Sequence, residues 1–333
     1  MVPDGPVPRV IPMSLLLWPA LLLASVPGVP APVSVPIGHF QTWLPSSRAP
    51  IAFTSSGVTV EVAPLPCPAY PEGESSCRWD GYNNQAKVTV RAAGIAPLSV
   101  TTDPRSGYAR IAVVRFGHGD PRPGVIVESQ SGGSAGNLSV QFLAPDGRDY
   151  RVLSLGSLSG GLLQGEIADE PRDLSGDGFL DLSLRDGAFG NVFGCNACTP
   201  RPLRLFAVKR GRVVDESRDP ALRPAFAVDM ALLEPHCLSK ETFRNGACAA
   251  YVADAARAGR FRSAWATMLA HYERDRDLWQ PNKGPHFTSF PESLRAFLIR
   301  TGYILPSPSG ELQGVGRPRR QDADGEAPPQ PLP

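Results

Sequence analysis

The features that would announce an activity are mostly missing from this chain. There is no His-Glu-x-x-His run, and the five histidines show no metal-ligand spacing, which removes the zinc-hydrolase signature. Thirty-three Lys and Arg offset 32 Asp and Glu, so a net charge of +1 offers nucleic acid or an anionic membrane little attraction. The longest apolar stretch, Leu15 to Val26, is interrupted by Pro19 and falls short of the ~20 residues that a bilayer-crossing helix needs. No cysteine follows that stretch closely, which argues against a lipoprotein anchor. No segment repeats at a fixed period, which argues against a propeller built from like blades.

What is present points to export. Arg9 precedes the Leu15–Val26 stretch, and small residues follow as far as Ala31. This is the layout of a signal peptide over residues 1–31, with Met1 or Met13 as the start and a periplasmic or secreted product. Pro32 disfavours cleavage directly after Ala31. After removal of the signal, no integral membrane span remains. Six cysteines fit an oxidising compartment and allow fifteen pairings. They fall in three near-neighbour pairs, so Cys67–Cys77, Cys195–Cys198 and Cys237–Cys248 form the simplest set. Each such bridge closes a short loop and contributes ~2–3 kcal/mol.

The 33 glycines and 36 prolines favour turn-rich β structure between poorly ordered ends. From about residue 35 to 216 the dominant period is two, within a β-rich domain over 35–225. Val58–Val62, Lys87–Ala92, Ile95–Thr101, Ala109–Phe116, Gly124–Glu128, Leu138–Leu143 and Tyr150–Leu155 read as strands. Asp146-Gly147 and Lys209-Arg210-Gly211 mark hairpin turns. From about 235 to 305 the period becomes helical. Phe261, Ala264, Trp265, Met268, Leu269 and Tyr272 share one face, joined to a helix over Ala249–Arg257 through Ala258-Gly259-Arg260. A third helix opens at Ser289 with Glu292 as its capping-box partner and stops at Gly302. Residues 306–333 read as a disordered Pro-rich tail. The fold class is therefore α+β: a mainly antiparallel β domain, as a sandwich, barrel or small propeller, followed by a small C-terminal helical domain.

The most specific chemistry lies in residues 173–184. Asp173, Ser175 and Asp177 stand at alternate positions, Gly178 is sixth and Asp181 ninth. Alternate oxygens that wrap inward, a glycine at the sharp turn and the Phe179 carbonyl suit a hard cation, calcium above others. Leu184 occupies the twelfth position, where an EF-hand carries glutamate, and Phe179–Leu184 reads as a strand. Asp169 and Glu170 lie close enough upstream to add a ligand. The segment Asp173–Leu182 resembles the loops of dockerins and of FG-GAP-type repeats, which implies calcium held by Asp173, Ser175, Asp177, the Phe179 carbonyl and Asp181. Residues 124–224 are similar to uncharacterised exported bacterial proteins with one such loop, a likeness that carries no activity.

Two further motifs are weaker. Gly132-Gly-Ser134-Ala-Gly136 matches the serine-hydrolase elbow, yet an elbow requires a helix next and Leu138–Leu143 reads as a strand. A glycine hairpin is the better reading, and Ser134 is the catalytic candidate otherwise. Cys195-Asn-Ala-Cys198 has redox spacing, but Thr199-Pro-Arg-Pro202 blocks the helix that would activate its first thiol. A structural disulfide is the favoured reading there. The whole reads as an exported, calcium-stabilised structural or binding protein whose partner is an envelope protein or polysaccharide. The alternatives are a periplasmic hydrolase acting on cell-envelope material, supported by Ser134, Glu128 and Glu166, and a helical-hairpin interaction module.

Overall fold

The computed structural model describes residues 29–44, 49–65, 85–103, 106–131, 138–155, 163–195, 199–239, 243–274, 287–306 and 313–314. The signal segment through residue 28, Cys67, Cys77, Ser134, Cys198 and most of the Pro-rich tail lie outside them.

Alternating burial builds two sheets. The first contains β1 (Val33–Ser34), β3 (Ile51–Ser55), β4 (Val58–Pro64), β5 (Ala86–Ala92) and β6 (Leu98–Thr101), in the order β1-β3-β4-β5-β6. Only β1 runs parallel to its neighbour among these pairs. The second sheet contains β2 (Gln41–Trp43), β7 (Ser106–Val114), β8 (Gly124–Ser131), β9 (Leu138–Asp146), β10 (Asp149–Leu155), β11 (Leu163–Gln164), β12 (Leu182–Asp186), β13 (Leu203–Lys209) and β14 (Arg212–Asp215). Its order is β14-β13-β12-β11-β9-β8-β7-β2, with β10 paired to β9, and every pairing in it is antiparallel. Among the described residues no sheet closes into a barrel; the sheets stack as a sandwich. Val60, Val62 and Val88 of the first meet Trp43, Ile111, Val113 and Val127 of the second in one core. The opposite face of the second sheet carries its own core, with Phe116, Ile126, Phe142, Leu182 and Phe206.

The second sheet is tightly packed at Gly124. A Cβ there would meet Phe116 Cε2 at 2.3 Å and the Leu143 carbonyl oxygen at 2.7 Å. Because one of these neighbours is backbone inside a ladder, it has little room to yield. Gly124→Ala is therefore expected to lower stability by ~2–3 kcal/mol in urea melts, whereas Gly57→Ala, in open space, should cost only the strain of its positive φ.

Four helices follow among the described residues: α1 (Arg223–Leu238), α2 (Arg244–Arg257), α3 (Phe261–His271) and α4 (Phe290–Arg300). Alanine-rich α2 is buried along its length from Asn245 to Arg257 and forms the axis around which the others pack. A disulfide joins Cys237 of α1 to Cys248 of α2, with Cα atoms 4.4 Å apart. The segment after β12 plugs the helices onto the sheet: Phe193 stands edge-on to Phe290 and to Phe297, each at 5.3 Å, and Phe189 to Phe297 at 4.9 Å. A short ribbon, β15 (Ile304–Leu305) with β16 (Gln313–Gly314), ends the described chain.

Two local expectations are corrected. The strand expected from Phe179 begins at Leu182; Phe179 and Asp181 make isolated bridges, to Gly117 and Arg172, because the loop is still turning there. At α4 the Ser289 side chain makes no cap hydrogen bond, and Glu292 instead accepts from the amide and hydroxyl of Thr288, both at 3.2 Å.

Candidate functional site

Residues 173–181 form a loop closed on its own amides. Asp173 Oδ1 accepts from the amides of Gly176 (2.6 Å) and Asp177 (3.1 Å), and Oδ2 from that of Gly178 (2.7 Å). Gly176 and Gly178 have φ of +78° and +90°, which side-chain-bearing residues resist, so the two glycines let the amides converge. Slight desolvation pushes the Asp173 carboxyl up, but these hydrogen bonds outweigh it and hold it below the usual range. Asp181 Oδ2 accepts from Leu174 (2.7 Å) and Ser175 (2.9 Å). Its Oδ1 is buried with no hydrogen-bond donor. Asp177 accepts from the Phe179 amide at 3.0 Å and pairs with the Lys209 ammonium, which also pairs with Glu216. Among the described residues no three His, Cys, Asp or Glu side chains are arranged to hold a metal ion. The acids have been given separate partners rather than a common centre. Asp169 and Glu170, expected as further ligands, turn elsewhere: Asp169 to Arg110 at 3.2 Å and Glu170 to His39 at 2.7 Å.

Phe179 of the loop lines a cleft of about 280 Å³. Phe179 and Phe116 lie beside Asp120, and the far side is made by Asp146 and Arg151 of the β9–β10 hairpin and Arg210 of the β13–β14 hairpin. Arg210 and Gly211 have φ of +50° and +71°, a left-handed pair that suits a two-residue hairpin turn. Arg151 pairs with Asp146 at 2.6 Å and lies over Gly211, where a Cβ would stand 3.3 Å from its Nη1, so the two hairpin tips support each other.

A second polar cluster sits on the sheet. Arg110 of β7 lies directly opposite Glu128 of β8, and its guanidinium reaches Glu128 (3.0 Å), Glu166 (3.2 Å), Asp169 (3.2 Å) and the Ile167 carbonyl (3.0 Å), above the Phe40 ring. Glu128 is 1% exposed, and burial pushes its carboxyl up to about 7, against the pull of the Ile167 amide and Arg110. Tyr108 donates its hydroxyl to Glu166, and its own acidity is suppressed by burial and by that carboxylate. The structure thus gathers Glu128 and Glu166 at one cation. Ser134, the nucleophile candidate, lies outside the described residues, as does the Cys198 end of the Cys-x-x-Cys motif; Cys195 is disulfide-bonded.

A third network locks the helices to the sheet. Arg185 of β12 grips Asp229 of α1 with two hydrogen bonds, 2.5 and 2.7 Å. Asp254 of α2, fully buried, accepts from the Leu203 amide at 3.0 Å, while its Oδ2 finds no N–H or O–H donor. Burial first, then the neighbouring Asp229, raises the Asp254 carboxyl well above its ordinary value.

Every helical contact of that lock falls in one segment. Over residues 229–302 the chain matches the sll0997 C-terminal domain. Asp229, Asp254, both bridged cysteines and α2 to α4 lie inside the match; Arg185 and the β sheets lie outside it. The chain is 28% identical over 244 residues to a protein named "Probable thylakoid lumen protein sll0997" from Synechocystis, covering 68% of this chain and 70% of that one. It is 22% identical over 310 residues to "Uncharacterized protein y4bJ" of Sinorhizobium fredii, spanning 86% of this chain and 45% of that protein. No solved structure matches. Sequence reading missed Arg110, Arg185, Lys209, Asp229, Glu216 and Asp254. A charged residue inside an apolar strand or an alanine-rich helix, as at Arg110 and Asp254, was the available signal.

Proposed function

We propose that this chain is an exported, non-catalytic binding module, and that the cleft beside the acidic loop takes a polar ligand, a saccharide of the cell envelope. The observation that carries the reading is the cleft itself: two hairpin tips, Asp120 from between β7 and β8 and Phe179 of the acidic loop bring two guanidiniums, two carboxylates and an aromatic ring around about 280 Å³. Fixed donors and acceptors of both signs beside an aromatic ring suit a polyhydroxylated ligand better than an ion of one sign. Export is supported by the similarity to a protein named for the thylakoid lumen and by the Cys237–Cys248 disulfide. Titration calorimetry with soluble envelope oligosaccharides tests this. Arg151→Ala and Phe179→Ala should each weaken binding at least ~10-fold, the loss of one charge-assisted hydrogen bond or one aromatic contact. Binding that is absent in wild type, or as tight in both variants as in wild type, rejects the cleft.

The reading needs a rigid loop, and a cation beside Asp177 helps the amides to hold it. Calcium, expected from the residue spacing, is a second reading for that cation, favoured by the donorless Asp181 Oδ1. Asp173, Ser175, Asp177, Asp181 and the Phe179 carbonyl would be its ligands, and a hard cation there supplies only charge neutralisation. A hydrolase remains the alternative that Glu128 and Glu166 favour by meeting at Arg110. Release of reducing ends from envelope polysaccharide, lost in Glu166→Gln, is its test.

A further inference from the structure

We infer that Lys209 is the resident cation of the acidic loop, an ammonium standing where the residue spacing calls for a divalent ion. This rests on the reading in which a cation keeps the loop rigid, and it decides which one. Lys209 closes β13, and the left-handed pair at Arg210 and Gly211 turns the chain directly behind it. Its side chain is only 18% exposed. The ammonium pairs with Asp177, at the fifth position of the loop, and lies 5.3 Å from the ring centre of Phe179, the seventh. It therefore sits between the two loop residues that would otherwise face an ion from that side.

The other acids are arranged to match. Asp173 is neutralised by loop amides, and Asp181 Oδ2 by two more, which leaves no shared centre. Glu216, just past β14, supplies the second carboxylate on Lys209 from outside the loop, and its side chain is 9% exposed. Two buried carboxylate oxygens keep no donor: Glu216 Oε2 and Asp181 Oδ1. The ammonium brings one positive charge to Asp177 and Glu216, and Asp181 Oδ2 accepts from amides instead. A divalent ion would use the unpaired oxygens, but it cannot share the space with Lys209. Removing the ammonium should therefore free Asp177 and Glu216 to turn, with Asp181, toward calcium, a grouping that the wild-type side chains do not make.

The test is a thermal melt of the whole protein in EGTA and in millimolar calcium, with calorimetric titration of calcium alone. Wild type should hold its Tm within ~1 °C between the two conditions, since nothing binds. Lys209→Met should melt lower in EGTA and regain ~5 °C or more in saturating calcium. Adding Asp177→Asn should erase that gain, and Lys209→Arg should behave as wild type. A saturable calcium shift in wild type as large as in Lys209→Met overturns the inference and leaves calcium as the cation. A Lys209→Met protein with no calcium response overturns it too. If that variant does not fold, Lys209→Gln read by calorimetry carries the same two outcomes. Failure of the rigid-loop reading looks different: Asp177→Asn would then leave the Tm of the wild-type background unchanged.

Discussion

Arg185→Ala should lower stability by about 2–4 kcal/mol and the Tm by roughly 5–10 °C. The guanidinium holds Asp229 with two short hydrogen bonds, and Asp229 is in turn the neighbour of the fully buried Asp254. Without it, two carboxyls remain in a low-dielectric seam with no cation, and one must take up a proton to stay there. The full cost of breaking a buried pair is ~3–5 kcal/mol; the loss here is smaller because the Arg185 side chain keeps 37% of its surface in water. The lock is a device of position more than of net energy, since a paired charge recovers only part of what its burial costs. The double variant Arg185→Met, Asp229→Leu should therefore recover more than half of the loss. A double variant no more stable than Arg185→Ala would show that the pair itself, and not the orphaned acid, carries the effect. Urea melts of wild type, Arg185→Ala and the double variant make the comparison.

The same lock explains why part of the fold could be read from the sequence and part could not. Strands β4, β5, β7, β9 and β10 alternate apolar and polar residues, so their existence follows from the period alone, and so does that of α3. Helix α1 was hidden for a physical reason. It carries Pro224 and Pro235, and Val228 and Leu232 point outward, 65% and 63% exposed, so no polar face contrasts with its buried one. The acidic loop was found as a segment because its glycines and alternate acids are local. Its cation was not, because Lys209 and Glu216 come from another hairpin, 32 residues from Asp177 in the case of Lys209. Arg110, Arg185 and Asp254 share that cause: each is one charged residue whose partners lie on other elements, and spacing along the chain carries no trace of them.

Glu128 provides the clearest dependence on pH. Its carboxyl is driven up to about 7 by burial, and neither the Ile167 amide nor Arg110 restores it. A carboxyl whose folded pKa lies above its unfolded one favours the folded state at low pH, and that contribution is lost as pH rises through the folded value. From the ordinary value of 4.5 to about 7, the loss accrues mostly between pH 5 and 8 and amounts to ~2–3 kcal/mol. Glu128→Gln keeps an acceptor for the Ile167 amide and removes the titration. Its stability should therefore gain on that of wild type by about this amount over the interval, since all other groups titrate alike in both proteins. Parallel urea melts at pH 5 and pH 8 measure the gap, and a gap that stays constant would mean that the Arg110 guanidinium keeps Glu128 ionised throughout. The result also bears on chemistry. A carboxyl half-protonated near neutral pH beside a second one, Glu166, has the acidity that proton transfer requires, whereas one held ionised by Arg110 serves only to fix β7 against β8.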